Sequence, residues 1–313
     1  MKEQFVTIFN SLFLPQGIVL SKSLYKNNPN CILWVICADE LSYEILRKLN
    51  LINLKLIKLS DFETPELLKV KQERSIAEYL WTLTPFASKF VFNSDKTINK
   101  VTYIDADLYI LDNLDSIFDE FASSNKSVMI TKHGYNPIYD QSSLTGKFCV
   151  QFMIFIRNNS ENVRNWWEQE CLKWCYARYE DGKFGDQKYL DSFPQLFKND
   201  VHILTRESEI LAPWNVQIYP YSDAKIYHFH GFRIINKNKF TFGRYPIPIP
   251  TLNNIHKNYI TEIKSAIDLL LLNNFSIKPQ IKDYTFFEKI KFIIQSLRSK
   301  IWNYNFINTY ENL

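Results

Sequence analysis

Apolar, β-branched runs alternate with helix-forming stretches through the first hundred residues, and this alternation limits the fold more than any other feature of the chain. Phe5-Val6-Thr7-Ile8-Phe9 reads as a buried strand, and Pro15 to Tyr25 as a helix closed by Asn27-Asn28-Pro29. Cys31 to Cys37 is a second strand, Leu41 to Leu51 a second helix, and Leu54 to Leu59 a third strand with one polar face. Strands of this kind joined by helical crossovers predict an α/β fold with a mostly parallel central sheet flanked by helices. Such sheets bind ligands at the carboxyl ends of their strands. No Gly-x-Gly-x-x-Gly follows the first strand, and the chain has only seven glycines, which argues against a dinucleotide or Walker-type phosphate loop.

With 313 residues, 46% of them hydrophobic and 16% aromatic, the chain can bury a sizeable core in one large domain or two small ones. A net charge of +4 suits an anionic ligand or a membrane surface and falls short of the dense basic stripe of a nucleic-acid binder. Cys171 and Cys175 lie one helical turn apart, but no Cys-x-x-Cys or nearby His completes a tetrahedral metal set. All five cysteines are therefore expected to be buried reduced thiols, as in a cytosolic protein. Lys2, Glu3 and Gln4 lead directly into a strand, so no signal peptide is expected, and no run is long enough to span a bilayer.

Chemistry enters at Tyr103-Ile104-Asp105-Ala106-Asp107. In a strand, residues two apart point to one side, so both carboxylates can face one divalent ion. Lys100 to Ile104 before them is β-branched and aromatic, as a buried strand is, Leu108 to Leu111 after them is apolar, and acids between two such runs must be partnered or bound. A helix (Leu114 to Phe121), a strand (Ser127 to Thr131), an irregular segment to Gly146 and a strand (Phe148 to Ile156) follow. In the next helix, Val163 to Tyr176, the residues Trp166, Trp167 and Trp174 read as core. Gly185-Asp186-Gln187 opens a short helix, Ala212-Pro213-Trp214-Asn215 forms a loop, and Tyr227-His228-Phe229-His230-Gly231-Phe232-Arg233 places two histidines two apart at a strand end. Each has an ordinary structural reading, as an N-capped helix, a core Trp and a structural His. With the acidic pair, His228 and His230 are candidates to complete an oxygen and nitrogen shell for Mn²⁺ or Mg²⁺, with Arg233 near the anion.

In this order the segments resemble the metal-dependent glycosyltransferases of the GT-A, Rossmann-like fold, most closely glycosyltransferase family 8 and related bacterial surface-polysaccharide glycosyltransferases. The resemblance covers roughly residues 4 to 233. It is carried by the strand-loop opening Phe5 to Pro15, Asp105-Ala106-Asp107, the segment Phe148 to Asn158, Asp186-Gln187 and His228-x-x-Gly231. It implies transfer of a sugar from a nucleotide-diphosphate donor, a UDP-sugar, with retained configuration, to a glycan or lipid-linked acceptor in cell-surface polysaccharide synthesis. On this resemblance Asp105, Asp107 and His228 hold the cation, with His230 the alternative imidazole, and Asn10 to Phe13 receive the base. Gln187 lies near the anomeric carbon and Asp186 orients the sugar hydroxyls, while Gln151, Trp214, Gly231 and Arg233 complete the donor site. Asn10 and Phe13 stand where the family commonly has an acid and a Tyr, Cys149-Val150-Gln151 replaces Asn-x-Gly, and Arg233 is the nearest substitute for a downstream Lys.

Pro246-Ile247-Pro248-Ile249-Pro250 reads as an extended linker. It divides a catalytic domain, 1–250, from a helical tail, 251–313, with the nucleotide-binding part at about 1–110 and the acceptor part at about 111–250. In the tail, Phe286, Ile290, Ile293, Ile294, Leu297 and Ile301 share one helical face, with Lys282, Lys289, Lys291, Arg298 and Lys300 around it. That helix packs on the core or lies on a membrane surface; the second case would make the protein peripheral on the inner face of the cell membrane. Two rival readings remain. One is a haloacid-dehalogenase-type phosphohydrolase, whose first and last motifs are matched by Asp105-Ala106-Asp107 and by Gly185-Asp186 with Asp191, although Tyr109 stands where that family has Thr or Val. The other is a non-catalytic nucleotide-sugar-binding module.

Overall fold

The computed structural model describes residues 2–243 and 245–281. Its strands are β1 (Glu3–Phe9), β2 (Cys31–Cys37), β3 (Leu54–Lys58), β4 (Lys100–Ile104), β5 (Leu108–Ile110), β6 (Val128–Lys132), β7 (Phe148–Ile156), β8 (Val201–Ile203), β9 (Ile210–Leu211), β10 (Ile226–His228), β11 (Arg233–Asn236) and β12 (Lys239–Thr241). Seven of them form one sheet in the order β3-β2-β1-β4-β7-β6-β8. Parallel pairing joins β3, β2, β1 and β4, and also β6 and β8, while β7 runs antiparallel to both its neighbours. The mostly parallel sheet expected from the alternation is thus present, with one reversed strand near its centre.

Parallel pairing requires crossovers, and the helices Leu14–Asn27, Glu40–Leu49 and Ile76–Ser94 supply them. The last is started by a capping box in which Ser75 and Glu78 satisfy each other's backbone N–H groups. Side chains alternate across the sheet with period two. Phe5 and Phe9 enter one core with Ile18, Leu20 and Leu46, whereas Val6 and Ile8 enter the other with Leu83, Val91 and Trp167. Phe5 and Trp167 are fully buried, and truncating either to Ala costs about 3–5 kcal/mol.

Two details differ from the sequence reading. The apolar run after the acidic pair leaves the main sheet: β5 pairs antiparallel with β10, which pairs parallel with β9. The core also continues past residue 250, where the sequence placed the end of the catalytic part. Helix Lys257–Leu272 buries Tyr259, Ile260, Ile263, Ile267 and Leu270 against the core of β1. The apolar face from Phe286 to Ile301 lies outside the described residues. All five cysteines are free and buried, as expected. Among the described residues no helix is long and apolar enough to cross a membrane.

Candidate active site

The acidic pair lies in the turn between β4 and β5, and the pairing of β5 with β10 brings a histidine to it. His228, the last residue of β10, stands opposite Leu108 in register, and Phe229 N–H donates to the Asp107 carbonyl at 2.9 Å. On the other side Asp105 N–H donates to the Gln151 carbonyl of β7 at 3.0 Å. The turn is therefore clamped between two strands, and the three side chains converge. His228 Nε2 lies 3.1 Å from Asp107 Oδ1 and 3.9 Å from Asp105 Oδ2. One ligand atom from each of Asp105, Asp107 and His228 fits within a 4.8 Å sphere of mutual distances, as cation ligands require.

The electrostatics favour a cation. Burial pushes the Asp105 carboxyl up to about 6, and the Asp107 charge adds to that while His228 opposes it. Burial also acts to raise Asp107, but the charge and hydrogen bond of His228 outweigh it and hold that carboxyl below its usual range. For His228, burial opposes protonation, yet the Asp107 charge and hydrogen bond carry the imidazole well above its usual value. The free site thus keeps a proton where a metal would sit.

The second ring nitrogen identifies the outer support. Nδ1 of His228 lies 2.6 Å from Gln151 Oε1, which can only accept, so Nδ1 keeps its proton, and once the proton facing Asp107 leaves, the Nε2 lone pair is available to a metal. Gln151 is 1% exposed and does not line the cavity, so it supports the histidine from behind and does not reach a sugar. Tyr103, two residues before Asp105 on the same strand face, donates its hydroxyl to Asp105 Oδ1 at 3.1 Å.

These groups form the floor of a cavity of about 750 Å³, within the range of small-molecule sites. Asn10 and Phe13 line one end; the Asn10 side chain accepts from Leu12 N–H at 3.1 Å, which shapes the turn that presents Phe13. The Arg233 guanidinium sits 5.5 Å over the Phe13 ring and also lines the cavity. Asp186 and Gln187 line it as well. Gln187 Nε2 donates to the Thr145 carbonyl at 2.9 Å. Asp186 is 3% exposed, its Oδ2 has no hydrogen-bond partner, and burial, then the Asp105 charge, pushes its carboxyl up to about 8. Gly185 makes the approach with φ +52°, where an added Cβ would lie 3.3 Å from the Trp81 ring.

The remaining sequence candidates take supporting places. Trp214 lines the cavity, donates Nε1–H to the His133 carbonyl at 2.7 Å and meets His228 and His230 edge-on. His230, two residues past the end of the strand, also lines the cavity and meets the His228 ring edge-on at 5.6 Å, but no ligand atom of it joins the cluster of Asp105, Asp107 and His228. Gly231 forms a turn at φ +79°, packed against Gly243, and does not line the cavity. His133, Tyr135 and Tyr245 are cavity residues without a sequence signal, since loops brought together by the fold carry no periodicity. Burial, then the neighbouring His228 and His230, holds His133 down at about 3, so it stays neutral beside the site.

No protein-family model matches the chain. It is 30% identical over 257 residues to the uncharacterized protein YfnF of Bacillus subtilis (strain 168), covering 76% of this chain and 84% of YfnF. It is 27% identical over 284 residues to the uncharacterized protein YfnD of the same organism, covering 84% of this chain and 89% of YfnD. Among solved structures it is similar to the glycosyltransferase GlyE of Streptococcus pneumoniae TIGR4, with TM-score 0.52 and 14% identity over 91% of this chain and 67% of that one. It is likewise similar to the galactosyltransferase LgtC, solved with donor and acceptor sugar analogs, with TM-score 0.50 and 14% identity over 88% of this chain and 98% of that one. These likenesses give the fold as GT-A.

Proposed function

We propose that this chain, which belongs to the family of Bacillus subtilis YfnF, is a cation-dependent glycosyltransferase that moves a sugar from a nucleotide-diphosphate donor to a glycan or lipid-linked acceptor. One observation carries the reading. In a GT-A fold, Asp105, Asp107 and His228 converge on the floor of a cavity large enough for such a donor. The donor set, two hard carboxylates and one imidazole, suits Mn²⁺ or Mg²⁺. Held by these residues, a divalent cation would supply charge neutralisation for the departing diphosphate in place of a general acid.

The chain's own residues do the rest. Asp105 and Asp107 offer oxygens, held by Tyr103 and by the β10 clamp, and His228 offers Nε2 with its proton kept on Nδ1 by Gln151. Arg233 adds a fixed positive charge for the diphosphate, next to Phe13, which offers a stacking face to the base, uracil in our reading. The buried Asp186 Oδ2, without a hydrogen-bond partner, pairs with and orients a sugar hydroxyl. Gln187 flanks the anomeric centre as a neutral amide, suited to an oxocarbenium-like transition state in a retaining transfer. The acceptor lies in membrane-associated polysaccharide synthesis at the cytoplasmic face, with the cationic stretch Lys278 to Leu313 as the foothold on anionic lipid.

A turnover screen of nucleotide sugars with Mn²⁺ tests this function. One UDP-sugar should be cleaved, with product NMR giving the retained anomer, and Gln187→Ala should lower turnover at least about tenfold while UDP affinity stays nearly unchanged. Release of phosphate from simple phosphate esters, with no nucleotide sugar consumed, would refute it in favour of a phosphohydrolase.

A further inference from the structure

After helix Lys257–Leu272 the chain turns back towards the donor end of the cavity and runs beside β11. Gln280 N–H donates to the Ile234 carbonyl at 2.8 Å, and Ile234 N–H donates to Gln280 Oε1 at 2.9 Å. The same Oε1 accepts from Gln16 Nε2 at 3.0 Å, and Gln280 Nε2 donates to the Leu12 carbonyl at 2.8 Å. One carboxamide therefore ties together the turn Ser11–Phe13, the first crossover helix and β11. The segment leading to it is anchored separately, by Lys48 Nζ on the Asn273 carbonyl at 3.2 Å and over the Phe275 ring at 5.1 Å.

The neighbours of the two tied backbone groups give the bridge its meaning. Leu12 precedes Phe13, Ile234 follows Arg233, and the Arg233 guanidinium stands 5.5 Å over the Phe13 ring. We propose that Gln280 is a positioning residue of the donor site, setting the separation between the aromatic ring that receives the base and the guanidinium that meets the diphosphate. This extends the donor-site reading above, on which it rests, to a residue 268 positions from Leu12 and beyond the segment that carries the catalytic motifs. Only a carboxamide of this length serves. Its oxygen accepts twice while its nitrogen donates once; Asn is a methylene shorter, and Glu would set an oxygen against the Leu12 carbonyl.

The test uses the full chain with Gln280→Glu and Gln280→Leu. Hydrogen exchange without ligand is read at the amides of residues 12–14 and 233–235, and calorimetry gives the affinity for Mn²⁺ alone and for UDP with Mn²⁺. In Gln280→Glu, which keeps its acceptor for Ile234, exchange should quicken at 12–14 while Ile234 stays protected; in Gln280→Leu both segments should quicken. UDP should bind about tenfold more weakly to either variant, about 1.4 kcal/mol, with Mn²⁺ alone bound as in the wild type, because the cation trio is untouched. Should Gln280→Leu fail to fold, Gln280→Glu decides alone. Unchanged UDP affinity in a folded variant refutes the role of Gln280, as does an equal loss of Mn²⁺ and UDP binding, which marks general loosening. A wild type that binds no nucleoside diphosphate refutes the donor-site reading itself, and the role of Gln280 with it.

Discussion

Replacing Gln151 with Leu removes the acceptor behind His228 and should weaken cation binding without touching a ligand. The bond is short, 2.6 Å between Nδ1 and Oε1, and both residues are buried, Gln151 at 1% and His228 at 4% exposure. Without a metal, the variant imidazole can escape the loss by giving up the Nδ1 proton and keeping the one on Nε2, against Asp107 Oδ1 at 3.1 Å. With a metal on Nε2 it has no such escape, and the Nδ1–H stays buried with no acceptor. A buried unsatisfied donor costs about 1–3 kcal/mol. Loss of an outer partner of a metal-bound histidine lowers affinity about 10–100-fold, about 1.4–2.7 kcal/mol. The two ranges overlap near 2 kcal/mol, so the Mn²⁺ Kd should rise about thirtyfold by calorimetric titration. Gln151→Glu keeps an acceptor and should bind Mn²⁺ near the wild-type level. A folded Gln151→Leu protein with the wild-type Kd would refute the reasoning, because His228 would then need no support to act as a ligand.

Two pH effects follow from the same cluster. The Asp107 charge and hydrogen bond overcome burial and hold a proton on His228, so a cation must displace it; Mn²⁺ binding should tighten as pH rises above the ordinary imidazole range, and a flat profile would count against the trio. Burial pushes Asp186 up to about 8, so between about pH 4 and 8 the folded protein retains a proton that the unfolded chain has released, and this residue's contribution to stability falls as pH rises through that window. Asp186→Asn lacks this titration, so its melting temperature relative to the metal-free wild type should climb from pH 5 to pH 8; a constant difference would contradict the burial of an ionisable group there.

The parallel sheet was legible because Phe5 to Phe9 and Cys31 to Cys37 are apolar on both faces, a pattern that only a strand covered on both sides can bury. The convergence of Asp105, Asp107 and His228 was legible because each follows or ends an apolar strand, although the carboxylates meet through the turn between β4 and β5 and not through the strand period. His230 follows the last residue of β10 and lines the cavity beside the trio, its ring edge-on to His228 at 5.6 Å, without joining the cluster of ligand atoms. Gln151 looked like a sugar contact from its place in the motif order, yet on a central strand its inward face meets a histidine 77 residues away, a pairing that only tertiary register decides. The same holds for Gln280, whose partners Leu12 and Ile234 are set by the path of the chain after the last helix. Pro246 to Pro250 reads as a linker because prolines cannot continue a helix, but the helix that follows has a full apolar stripe and buries it in the main core.

The central claim is that Asp105, Asp107 and His228 hold a divalent cation that in turn holds a nucleoside diphosphate. Calorimetric titration of UDP into the metal-stripped protein, with Mn²⁺ or with EDTA and in parallel on Asp107→Ala, tests it most directly. Binding should appear with Mn²⁺, vanish with EDTA and vanish in Asp107→Ala, whose circular dichroism and melting remain those of a folded protein. Equal UDP binding with Mn²⁺ and with EDTA, or full Mn²⁺-dependent binding by Asp107→Ala, would contradict it.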